Sequence, residues 1–165
     1  MSMFTTTGLL TVVWLYAAAG AVVVAGEVPS FRNEVMAVLS RAGCSLGTCH
    51  GNQNGKGGLR LSLRGQDPDL DYVTLTRSLG ARRVNVQQPE ESLLLRKPLM
   101  QVPHEGGRRF GVESLEYRVL RDWIAAGMPR DGSSGLGVVR LERLLVEPSV
   151  ATLVGEQRTQ RLTAT

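Results

Sequence analysis

Cysteine and histidine are scarce in this sequence, with two of each among 165 residues. A tetrahedral zinc site would have to use all four: Cys44, Cys49, His50 and His104. No nucleophile motif is present, nor a pair of carboxylates placed for acid–base work, so hydrolysis has no carriers. The glycine-rich GNQNGKGG, residues 51–58, lacks the strand–loop–helix order of a phosphate-binding loop. There is neither a basic helix nor an interleaving of aromatic and basic residues. The net charge of +4 and pI of about 9.6 therefore do not point to nucleic acid. The basic residues come partly as pairs, Arg82-Arg83, Arg96-Lys97 and Arg108-Arg109. Such pairs form either a solvated surface or a positive rim for acidic groups, on a redox partner or on a cofactor's carboxylates.

Charge is also missing from Gly8 to Ala25, where LLTVVWLYAAAGAVVVA runs uninterrupted. The run ends in Val23-Val24-Ala25, small residues of the kind a signal peptidase reads, and Gly26-Glu27 follows. Residues 1–25 are expected to be an export signal. The segment before the run has no Lys or Arg, and the run of 17 residues sits at the lower limit for spanning a bilayer. Left uncleaved, it would hold the protein at a membrane. The expected location is exported, in the periplasm or cell envelope.

What is there is concentrated in GCSLGTCHGNQNGKGG, residues 43–58. A helix is expected before it, with Ser30 as cap, Phe31, Val35, Val38, Leu39 and Ala42 on one face, and Gly43 as stop. LRLSLRG alternates apolar and polar residues and predicts a short extended piece. DPDLDYVTLTRSLG predicts a short helix capped by Asp67 or Asp69, and PEESLLLRK another, stopped by Pro98. PLMQVPHEGGRRF, with two prolines and two glycines, must be irregular. SLEYRVLRDWIAAG predicts the second clear helix, from Ser114 to Gly127. RDGSSGLG reads as a linker, after which the pattern turns strand-like up to Thr165. We expect a 27–130 domain, a 131–137 linker, and at 138–165 the first strands of an incomplete β domain.

Three chemistries fit Cys44, Cys49 and His50. A Cys44–Cys49 disulfide would close a small loop after export, but leaves the adjacent histidine unexplained. Zinc would need two neighbouring side chains on one tetrahedral ion, which is awkward. Covalent haem accounts for all three: two thiols bond the porphyrin vinyl groups and the histidine beside the second thiol binds the iron. The usual spacing has two residues between the cysteines, whereas Ser45, Leu46, Gly47 and Thr48 stand here. The extra pair must bulge, which Gly47 favours. Leu59, Leu61 and Leu93 to Leu95 are the expected haem walls. Trp123 and Tyr117 are expected against Phe31 or the porphyrin edge.

The stretches FRNEVMAVLSRAGCSLGTCHGNQNGKGGLRLSLRG, PEESLLLRKPLMQVPHEGGRRF and YRVLRDWIAAGMP together resemble the planctomycete-type cytochrome c domain over about residues 30–129. The tail LERLLVEPSVATLVGEQRTQRLTAT is similar to the start of a bacterial immunoglobulin-like domain. The resemblance implies one haem c per chain and further domains of a longer secreted parent. It implies an all-α, small class I-like cytochrome c fold, with short helices around one haem. Candidates for the second axial ligand are Met100, His104 and Met128. Related sequences place a ligand methionine in a Met-Pro-Pro-x-Gly stretch. Aligning Pro103 and Gly106 puts Val102 in its place, and the HEGG at 104–107 favours His104, with Met100 as the alternative. Arg108 and Arg109 flank that loop and are candidates for pairing with propionates. Trp123 completes the expected cofactor-binding set.

A closed iron with two axial ligands implies an electron carrier rather than a catalyst, with a redox protein as partner. An open iron would make a haem-based sensor or catalytic module. A disulfide would make a secreted binding or structural module.

Overall fold

The computed structural model of the chain describes residues 27–132, 142–153, 155 and 159–165. The expected export segment and positions 133–137 of the expected linker lie outside these residues. None of the described helices is long and apolar enough to cross a membrane.

The expectation of an all-α class I-like fold is overturned. The described residues hold four short α-helices, α1 (Met36–Arg41), α2 (Pro68–Thr76), α3 (Leu93–Arg96) and α4 (Leu115–Ala125). They also hold a two-stranded antiparallel sheet, β1 (Val146–Glu147) with β2 (Thr163–Ala164). Much of the remainder is turn and loop. The physical reason is punctuation. Prolines open α2 and the 3-10 turn Pro89–Glu91, and Pro98 follows α3 closely. Gly43, Gly80 and Gly127 adopt left-handed φ of 77°, 65° and 82° where segments end. Even the first helix is compound: a π-helical turn, Phe31–Val35, leads into α1.

Local capping follows the sequence. The Ser30 hydroxyl accepts from the Asn33 N–H at 3.2 Å, Asp67 from Leu70 at 3.0 Å, and Ser114 from Tyr117 at 3.1 Å. The expected extended piece at 59–65 is instead a loop ending in a 3-10 turn, Leu63–Gly65. Leu59 is half-buried and Leu61 buried, but Leu63 is exposed, so the alternation breaks off at the turn, and among the described residues no strand pairs with this piece. The tail at 142–165 contributes the β1–β2 pair, with Val146 opposite Ala164, and every residue of both strands is exposed.

The core gathers one face of the first helical segment (Phe31, Val35, Leu39), Leu75 of α2, Leu95 of α3, and Leu120, Trp123 and Ile124 of α4. At one end Phe31, Tyr72 and Trp123 form an aromatic cluster. Ring centroids are 5.2 Å apart for Phe31–Tyr72, edge to face, and 5.3 Å for Phe31–Trp123. The chain closes over this end. Tyr72 Oη donates to the Met128 carbonyl at 2.8 Å and Trp123 Nε1 to the Pro129 carbonyl at 3.1 Å. The Asp131 carboxylate accepts from the N–H groups of Phe31 and Arg32 at 3.0 and 2.7 Å. The packed unit therefore includes Asp131, one residue beyond the expected boundary.

Candidate functional site

Away from the aromatic cluster, the loop after α1 folds back on itself. Gly43 turns the chain, and the Cys44 N–H donates to the Leu39 carbonyl at 2.8 Å. The His50 N–H donates to the Cys44 carbonyl at 3.0 Å and the Gly51 N–H to the Leu46 carbonyl at 2.9 Å. This closes the six-residue CSLGTC stretch into a compact bulge that carries the two extra residues. Gly51 is sterically required there: a Cβ would lie 1.9 Å from the Ser45 carbonyl oxygen. The Leu61 N–H then donates to the His50 carbonyl at 2.8 Å, setting the next apolar side chain beside the histidine.

Cys44, Cys49, His50 and His104 all line one cavity of about 320 Å³, within the range of small-molecule sites. Both cysteines are free and half-buried. Burial pushes the Cys44 thiol up to about 11, although the nearby Arg109 charge pulls the other way. The His50 imidazole is held below its ordinary value, first by desolvation. Its Nδ1 faces two carbonyl oxygens, of Lys56 at 3.1 Å and Leu59 at 3.2 Å. Because both are acceptors, Nδ1 carries the proton and Nε2 keeps its lone pair. His104 repeats the arrangement, with Nδ1 2.8 Å from the Gly107 carbonyl. A backbone acceptor on one nitrogen is how ligating histidines are commonly oriented.

The two imidazole rings lie 6.4 Å apart between centroids, with planes 10° from parallel. Two thiols and two imidazoles lining one cavity are a donor set that a covalent haem could use, with Cys44 and Cys49 to hold it and His50 and His104 to meet its iron. Among the described residues no group of three or more His, Cys, Asp or Glu is placed to hold a bare metal ion. The zinc reading therefore draws no support.

The remaining expected residues are placed unevenly. Leu59, Leu61, Leu93 and Leu94 line the cavity, joined by Leu39, whereas Leu95 is fully buried in the core. Trp123 is in the aromatic core and does not line the cavity. Met100 is exposed, with a left-handed φ of 61°, and Met128 packs on the core; neither lines the cavity. Arg108 is exposed. Arg109 places Nη2 3.3 Å from Cys49 Sγ, while its backbone N–H donates to the Pro98 carbonyl at 2.8 Å, so it braces the thiol loop instead of the cavity mouth.

The cations that do line the cavity are Lys56, Arg82, Arg83 and Lys97. Arg83 is buried and donates to the carbonyls of Gly58, Thr74 (3.1 Å) and Ser78 (3.1 Å), which makes it a strut. The basic pairs 82–83 and 96–97 were the available signal for this rim. No protein-family model, no curated protein and no solved structure matches the chain significantly.

Proposed function

We propose that the chain is an exported c-type cytochrome module that holds one covalent haem and transfers electrons to a redox partner protein. The observation that supports it is that Cys44, Cys49, His50 and His104 line one cavity, with the two imidazole centroids 6.4 Å apart. Haem, once bound, would supply a one-electron iron couple. The chain's own residues do the rest. Cys44 and Cys49 would be the haem's attachment points, and His50 and His104, each with Nδ1 on a backbone carbonyl, would offer Nε2 to the iron. Leu39, Leu59, Leu61, Leu93 and Leu94 keep water from the site, and Lys56, Arg82 and Lys97 supply positive charge for propionates or for an acidic partner. With both imidazoles on the iron, no position would be left for a substrate and the potential would lie lower than with a thioether ligand. Export and a longer parent protein belong to the same proposal, carried by the apolar segment and the family resemblance.

The test is expression of the chain with cytochrome-maturation machinery. The expected product gains the mass of one haem that survives denaturation. Its spectrum is low-spin, without the far-red methionine–iron charge-transfer band. A band there would replace His104 by Met100. Ready carbon monoxide binding would favour the sensor or catalytic reading. Colourless protein with Cys44 joined to Cys49 would favour a structural module.

A further inference from the structure

The tetrapeptide His104-Glu105-Gly106-Gly107 does more than carry a ligand. The Gly107 N–H donates to the His104 carbonyl at 2.9 Å, and His104 Nδ1 donates to the Gly107 carbonyl at 2.8 Å. The histidine is thus bonded twice to one residue, through main chain and through ring. Gly107 has a left-handed φ of 69°, the conformation that turns its carbonyl back towards the ring. Gly106 plays a different part. Its φ is ordinary, so nothing in its backbone demands glycine. A Cβ there would stand 2.9 Å from His104 Cε1 and 3.1 Å from Nε2, the nitrogen that must stay open. The ring lies against the bare Cα of Gly106, and Arg109 Nη2 is 3.5 Å from the same Cβ position.

We propose that Gly106 is a positioning residue that fixes the plane and reach of the His104 imidazole, with Gly107 as its hydrogen-bond partner. The ring is preset from its own loop, close to parallel with His50, before any cofactor arrives. The inference rests on His104 being an axial ligand of a covalent haem. It adds that the absence of a side chain at 106 decides how firmly that ligand binds.

The experiment compares the full chain, Gly106→Ala, His104→Ala and Gly111→Ala after haem maturation. Gly111 is the control: it too has an ordinary φ, and a Cβ there meets nothing within 4 Å. The readouts are denatured mass, spin state, carbon monoxide-reactive fraction and the electron paramagnetic resonance of the ferric form. All four proteins are expected to keep covalent haem. In Gly106→Ala the carbon monoxide-reactive fraction should rise about tenfold, or about 1.4 kcal/mol of lost ligation. Its ferric resonance should shift towards that of His104→Ala, while Gly111→Ala stays like the wild type. A Gly106→Ala protein with the wild-type spectrum, resonance and carbon monoxide response overturns the proposal and leaves the cytochrome reading standing. A wild type without covalent haem overturns the cytochrome reading itself, and the Gly106 role with it. Should Gly106→Ala fail to accumulate, Gly107→Ala gives the second test: its Cβ meets nothing within 4 Å, but it strains the left-handed φ of 69° that holds the Nδ1 acceptor, so a raised carbon monoxide-reactive fraction supports the preset ring and a wild-type response overturns it.

Discussion

The two ends of the packed unit are built by different physics. At the aromatic end, Phe31, Tyr72 and Trp123 pack ring on ring, and the chain is tied across them by Asp131, Met128 and Pro129. Side-chain volume holds that end. At the cavity end the walls are loops, held by backbone hydrogen bonds among Leu39, Cys44, Leu46, His50 and Leu61, and by glycines where a side chain has no room. A region specified by apolar packing tolerates no void. A region specified by backbone approach tolerates no Cβ. The first end makes the unit stable and the second leaves space for a ligand, so damage to each should show in a different measurement.

The largest effect is expected from Trp123→Ala. Removing a fully buried indole costs about 3–5 kcal/mol, enough to unfold a small domain in part at ordinary temperature. Thermal denaturation should show a large drop, with cofactor content falling only as the fold does. Gly51→Ala should break the comparison from the other side. Its Cβ would overlap the Ser45 carbonyl, and relief by backbone shift costs about 1–3 kcal/mol. Covalent haem per folded chain should fall more steeply than the melting temperature does. If the two fall in proportion, the ends are not separable. Asp131→Ala removes the acceptor for two N–H groups at the start of the first helical segment, a loss of about 0.5–2 kcal/mol. A few degrees of melting temperature should go, with the visible spectrum unchanged.

The smallest effect concerns Asp71, which joins the two ends. Its carboxylate accepts from the Ser62 N–H at 2.6 Å and hydroxyl at 2.7 Å, beside the wall residue Leu61. Burial raises its protonation range above the ordinary 3.8, outweighing those hydrogen bonds. An acid whose folded value is raised favours the fold fully below the unfolded value. That contribution fades as pH rises through the folded one. Denaturation of wild type and Asp71→Asn across acid to neutral pH should show the variant gaining relative stability as pH rises. A constant difference would show that the carboxylate titrates as it does in the unfolded chain.

Much of the aromatic end was legible in sequence, because its signals are local. Ser30, Asp67 and Ser114 cap as their types and positions suggest, and Gly43, Gly80 and Gly127 stop segments by φ. Tyr72 joining Phe31 and Trp123, and Asp131 reaching back about a hundred residues, were not, since no periodicity encodes a contact between distant segments. The all-α class misled because the short helical patterns set the label, although the irregular proline- and glycine-rich connections and the C-terminal strands, both expected, make up much of the described residues. At the cavity end, the thiols and His50 announced themselves by adjacency. The approach of His104 is a tertiary result, and so is the rim of Lys56, Arg82 and Lys97 in place of Arg108.

The most direct measurement is the intact mass of the denatured chain after passage through a haem-maturation system, for the wild type and for Cys44→Ala/Cys49→Ala. The account predicts one haem retained by the wild type and none by the double variant. A wild-type mass equal to the bare polypeptide, less two hydrogens for a Cys44–Cys49 bond, would contradict it.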